Sequence, residues 1–158
     1  MAGSLICKKL HTMSNIRDFN VGNTIYSNLL AFNLIDTECK ISIDLIIADP
    51  IIESNLLKRE WFDQNGENGI SIINVIDNPH KFPNHYRRMQ NADMSYPIIL
   101  WEETGLITDG NHRLGHAKIN NHETIKAYIF TDDDMEKIKI GTFTTWVEYA
   151  DIVKNFIY

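Results

Sequence analysis

The stretch PIILWEETGLITDGNHRLGHA, residues 97–117, decides how this chain folds. PIILW is a short apolar run of strand type. EETG is a hairpin turn in which Gly105 supplies the positive φ that other residues resist. LIT is the returning strand. Asp109-Gly110 then turns the chain, and NHRLGHAKI reads as a helix. After the turn NNHE, the segment TIKAYIF (124–130) is a strong β-branched and aromatic strand.

Outward from this centre the pattern stays mixed. KISIDLII (40–47) is a strand that Asp49-Pro50 ends. SNLLKREWF (54–62) has apolar residues at helical spacing behind a cap-like Ser54. QNGENG (64–69) is a turn cluster, and GISIINVID fits either strand or helix. HYRRMQNA (85–92) is a helix following Pro83. Thr131 with Asp134, and Thr145 with Glu148, have the spacing of capping boxes. In the last helix Trp146, Tyr149, Ala150, Val153, Phe156 and Ile157 make a stripe that reads as core packing. Near the start, Thr24–Asn33 reads as a helix with Asn23 as its cap. Strands, hairpins and helices in this order predict an α+β (mixed α/β) fold, a small mixed sheet flanked by helices. The expected organisation is an N-terminal extension, 1–39, packed on a domain spanning 40–158.

The totals restrict the function. The chain has 158 residues, 44% hydrophobic and 23% charged, enough for one core without covalent staples. A net charge of −6 argues against coating duplex nucleic acid, which calls for a basic face. Cys7 and Cys39 form no CxxC pair and read as reduced thiols. The start MAGSLICKKLHTMSN has no signal-peptide apolar core, and no run approaches the ~20 apolar residues of a membrane span. A soluble cytoplasmic protein with no membrane partner is the expectation.

The chemistry concentrates in DGNHR, residues 109–113. The first N–H groups of a helix lack partners within it, and the helix dipole adds positive charge there. Such a terminus binds anions. Gly110 permits close approach of a ligand, Asn111 and His112 add donors, and Arg113 offers a planar fork for phosphate or carboxylate. Asp109 can orient His112 or bind a metal. The residues alone equally allow a plainer reading: Asp109 as a helix cap, Gly110 as a turn, His112 and Arg113 as solvated side chains. His85 and Arg88 share a face of the preceding helix and are candidates to join the anion site.

ISIDLIIADP together with ADMSYPIILWEETGLITDGNHRLGHAKINNHETIKAYIF resembles the core of the ParB/sulfiredoxin superfamily. The resemblance covers roughly residues 40–132 and is strongest over 92–130. It implies nucleotide phosphates bound at the DGNHR loop and helix start. Two departures and one agreement narrow what it implies. Asn111 stands where sulfiredoxins carry their catalytic cysteine, which removes the thiolate chemistry. The segment after Asp132 is too short for the DNA-binding and dimerisation domains of partition proteins. Glu53, after Asp49-Pro50, stands near the place of the catalytic glutamate of the family's free-serine kinases.

The resulting expectation is a nucleotide-dependent phosphotransferase or nucleotide hydrolase. Gly110, Asn111, His112, Arg113, His85 and Arg88 would hold the phosphates, with Glu53, Asp109 and His112 catalytic. ATP, ADP or CTP would be the nucleotide, with Mg²⁺ at Asp109 and an unnamed small-molecule or protein acceptor. A non-catalytic nucleotide-sensing module and a DNA-acting nuclease are the alternatives.

Overall fold

A computed structural model describes residues 18–59, 61–62 and 69–156 of the chain. The elements are β1 (Asp18–Val21), β2 (Thr24–Ser27), α1 (Asn28–Glu38), β3 (Ile43–Ile46), α2 (Pro50–Leu57), β4 (Trp61–Phe62) and β5 (Gly69–Ile70). They continue with α3 (Ile72–Asp77), α4 (Pro83–Gln90), β6 (Ile98–Trp101), β7 (Leu106–Asp109) and α5 (Asn111–Ile119). The remainder are β8 (Thr124–Phe130), α6 (Asp132–Lys137), β9 (Lys139–Thr142) and α7 (Trp146–Asn155). This is a small α+β fold of helices with small sheets. The chain divides into two units. Among the described residues, 18–41 cluster with 130–156, and those within 42–129 form the other unit.

In the 42–129 unit the four strands run in the order β3-β8-β6-β7. The β6–β7 hairpin pairs antiparallel, with Trp101 opposite Leu106 and Leu100 opposite Ile107. Ile99 then pairs with Asp109, so Thr108 is an extra residue, a bulge. The core is built from Ile52, Leu56, Val75, Met89, Ile98, Ile107, Leu114 and Ala127, all nearly or fully buried. Burial of these aliphatic side chains, at about 25 cal/mol per Å² of apolar surface, is the main stabilising term of the unit.

One buried polar residue ties helix to hairpin. Asn55 Nδ2 donates to the carbonyl oxygens of Ile51 and Gly105, at 2.9 and 2.8 Å, and its Oδ1 accepts from the Ile107 N–H at 3.0 Å. Gly105 has φ +70°, as the turn requires, and a Cβ there would stand 3.0 Å from the Ile51 side chain.

In the other unit β1, β2 and β9 form a three-stranded sheet. Ile25, Ala31, Phe32, Ile35, Phe130, Met135 and Ile138 are buried there. Thr131 and Asp134 make the reciprocal capping box of α6 that their spacing predicts. Asp134 also accepts from Lys40 Nζ at 3.0 Å. Burial alone would raise the Asp134 pKa. The bonds from the Thr131 backbone and Lys40 outweigh it and leave the carboxyl below its ordinary value.

Several local expectations are corrected. Thr24–Ser27 is a strand, because β-branched and aromatic residues pair here with both β1 and β9, and Ser27 rather than Asn23 caps the following helix. The helix expected from Ser54 starts at Pro50, capped by Asp49, and ends at Leu57, so Trp61 lies on a strand. Ser54 is no cap; its hydroxyl donates to the Ile51 carbonyl. GISIINVID is both structures in turn: β5, then α3 capped by Ser71. The last helix forms, but it buries no residue completely, and Trp146 remains 68% exposed. At its start Thr145 accepts from the Glu148 N–H, while the Glu148 carboxylate turns to Thr144 instead of completing a box. Cys39 is disulfide-bonded, not the reduced thiol the sequence suggests. Cys7, most of the 64–69 turn cluster and Ile157 lie outside the described residues. Among the described residues no helix is long and apolar enough to cross a membrane.

Candidate active site

Gly110 opens α5 with φ +106°, a conformation closed to residues with side chains, and no side chain caps the helix there. A Cβ on Gly110 would lie 2.5 Å from Ile98 Cγ2 and 2.9 Å from Arg113 Nη2. The glycine therefore serves two needs, the turn itself and room for the arginine beside it.

Arg113 uses that room for an internal clamp. Its Nη2 donates to Asp109 Oδ2 at 2.6 Å, and its Nη1 donates to the carbonyl oxygens of Tyr96 and Pro97 at 3.0 and 3.2 Å. The two side chains are 14% and 24% exposed. The clamp fastens the first turn of α5 to the chain leading into β6. The guanidinium fork expected to hold phosphate is thus turned inward on carbonyls and a carboxylate. Asp109, the carboxylate expected at the magnesium, is charge-paired with Arg113. Among the described residues no group of three His, Cys, Asp or Glu stands close enough to hold a metal ion.

His112 has a different partner. His85, on α4, and His112, at the first turn of α5, stand with Nδ1 and Nε2 respectively 3.0 Å apart. Both rings stack on the Trp61 indole at centroid distances of 4.4 Å, tilted from it by 11° and 14°. The imidazole centroids are 5.3 Å apart and their planes differ by 15°. Rings on opposite faces of one indole would be further apart than that. The two imidazoles therefore lie edge to edge on the same face of Trp61, like two tiles on one floor.

The packing of α4 on α5 sets this arrangement. Gly115 faces Met89 so closely that a Cβ would come within 2.6 Å of the thioether sulfur. His116 Nδ1 lies 2.8 Å from the Met89 carbonyl oxygen. Met89 is one turn beyond His85, and Gly115 and His116 are one turn beyond His112. The same close contact thus brings the two histidines together. Burial, and next to it the Arg88 charge, holds the His85 pKa below its ordinary value. Arg88 itself is exposed on α4.

Glu53 is placed elsewhere. It lines a cleft of about 550 Å³ with Ile46, Ile47, Lys118 and His122, at the C-terminal end of α5. Lys118 is six residues beyond His112, about 9 Å along the helix axis at ~1.5 Å per residue. The structure thus brings Asp109, Gly110, Asn111, His112, Arg113, His85 and Arg88 to one end of α5, and Glu53 to the cleft at the other. The sequence reading missed Trp61, because the apolar spacing of 54–62 ran it into a helix. Its signal was an aromatic residue just before a glycine-rich turn, which fits a hairpin strand as well as a helix end.

Comparison with protein-family models, with curated proteins and with solved structures finds no match to this chain.

Proposed function

We propose that the 42–129 unit binds a nucleotide by its phosphates at the first turn of α5 and acts as a nucleotide-dependent phosphotransferase or nucleotide hydrolase. The observation that carries this reading is the His85–His112 pair on Trp61, standing at a helix start that no side chain caps. The backbone of Gly110, Asn111 and His112 would face the phosphate oxygens, where the helix dipole favours negative charge. Arg88 supplies an exposed cation nearby. Arg113 would serve by holding the turn in shape through Asp109, Tyr96 and Pro97. Acid–base work falls to the histidines rather than Glu53, which lines the other cleft. Magnesium would arrive with the phosphates of the nucleotide, not on Asp109.

Calorimetric titration with ATP, ADP, CTP and GTP, with and without Mg²⁺, tests the reading. Binding that inorganic pyrophosphate competes away, and that Arg88→Ala weakens several-fold, is the expected result. Absence of binding to every nucleotide would overturn it. Tight binding with no phosphate release or transfer would instead identify a nucleotide-sensing module.

A further inference from the structure

The motif contains His112, and a ring-to-ring hydrogen bond joins it to His85 of α4. We propose that His85 is the general base of this site, its Nε2 accepting the proton of the attacking hydroxyl or water, and that His112 is a positioning residue that holds it. The proposal rests on the phosphate reading given above for the identity of the reaction.

A 3.0 Å contact between two ring nitrogens is a hydrogen bond only if one carries hydrogen and the other does not. The pair therefore holds one proton between Nδ1 of His85 and Nε2 of His112. In the proposed arrangement His85 Nδ1 is the donor, which leaves its Nε2 a bare lone pair. Among the described residues, His85 makes no other hydrogen bond. That nitrogen is therefore the one available to take a proton. His112 then acts as the acceptor that fixes the ring's tautomer, the task a carboxylate performs in other catalytic pairs.

The surroundings agree. Trp61 lies flat beneath both rings and fixes their tilt. From its own helix His85 faces Arg88, which opposes protonation. At the end of β7 the carboxylate of the motif, Asp109, is already paired with Arg113 of α5. Burial and the Arg88 charge thus hold the His85 pKa down, and His112 stands ready to stabilise the imidazolium.

In the step itself the O–H bond of the nucleophile breaks as N–H forms at His85 Nε2. The oxygen's electron pair forms the new bond to phosphorus, and the leaving oxygen departs with the electron pair of its P–O bond. The charge gained by His85 is delocalised through its Nδ1–H toward His112 Nε2. The proton then passes to the leaving oxygen or to solvent.

The test uses the full chain labelled with ¹⁵N in its histidines, first without ligand. In wild type, neutral His85 should be the Nδ1–H tautomer. In His112→Phe, which keeps a ring on Trp61 but removes the acceptor, it should revert to the Nε2–H form that a neutral histidine side chain prefers in water. His112→Gln, whose amide oxygen still accepts, should retain part of the Nδ1–H form. An Nε2–H tautomer in wild type, or no change in His112→Phe, overturns the proposal. Thermal melts of each variant check that it is folded, and the wild-type spectrum decides even if a variant is not. In a second arm, His85→Gln should lower kcat for phosphate release by ~100-fold or more with KM little changed. An unchanged kcat overturns the assignment. Failure of wild type to bind any nucleotide overturns the phosphate reading instead, and the ligand-free tautomer still decides whether His112 poises His85.

Discussion

Arg113 Nη2 lies 2.6 Å from Asp109 Oδ2, across the turn that joins β7 to α5. The pair is only partly exposed, and the same guanidinium satisfies the carbonyl oxygens of Tyr96 and Pro97. Arg113→Ala would leave a carboxylate and two carbonyls without their donor. Loss of one partner of such a pair costs about 3 kcal/mol when it is well buried, and partial exposure here brings the expectation nearer 2. Arg113→Lys should recover little, since an ammonium cannot span carboxylate and carbonyls in the plane a guanidinium fills. Urea unfolding checks both variants. A loss below ~0.5 kcal/mol in Arg113→Ala would show that the clamp is slack in solution.

Gly110→Ala should be among the most damaging small changes in the 42–129 unit. Its φ of +106° lies beyond the left-handed well that Asn or Asp adopt at modest cost, and the new Cβ meets Ile98 Cγ2. Strain of about 1–3 kcal/mol for the backbone, together with overpacking, is expected. Gly110→Asn should be no better than alanine, because the obstruction is spatial as well as torsional. Denaturation midpoints of the two variants make the comparison.

At the α4–α5 contact, Gly115→Ala places a methyl against the Met89 thioether. Overpacking of this kind costs roughly 1–3 kcal/mol. Because the obstacle is a flexible side chain, Met89→Leu or Met89→Ala should relieve part of the strain, so the double variant should lose less than the sum of the singles. The histidine ring spectra should shift in Gly115→Ala, since the spacing of α4 from α5 sets the His85–His112 distance. Additive losses with unmoved histidine signals would separate the two features.

The pH dependence of stability carries the mark of His85. Its folded-state pKa is lowered from 6.5, by burial first and Arg88 second. Protonation therefore favours the unfolded chain. The contribution of neutral His85 is fully present above pH 6.5 and is lost as pH falls from there through the folded pKa. His85→Gln should flatten that part of the stability curve. Chemical denaturation at a series of pH values tests the sign; an unaltered slope in the variant would assign the effect to another group.

Much of the candidate site was legible before its geometry. The hairpin, its glycine turn, the helix at DGNHR and the strand at 124–130 follow from local pattern, where turn residues and periodicity agree. So does the capping box of α6. The errors fall where tertiary pairing decides. Thr24–Ser27 becomes a strand because partners lie on both sides of it, and Trp61 leaves its helix because Pro50 started that helix a turn early. The use made of Arg113 was hidden for a related reason. A guanidinium at a helix start suits an outside anion and an inside carbonyl equally, and only the path of residues 96–97 chooses between them. The pairing of His85 with His112 depends on Gly115 admitting Met89, a contact between segments that no short window contains.

The extra residue at Thr108 makes the hairpin a measuring device. Its tip, Glu102–Thr104, is exposed, so added residues there lengthen a loop in solvent. Between Ile107 and Gly110 the count is fixed. Removing Thr108 would leave Asp109 opposite Ile99 but erase the bulge, and with it the local bend and added twist that aim the strand end at α5. The salt link to Arg113 would be strained, although every residue of DGNHR would still be present. An insertion scan across 102–110 should therefore fall into two classes, tolerant at the tip and intolerant at the base. In this protein the spelling of the motif is insufficient without the length of the strand that delivers it.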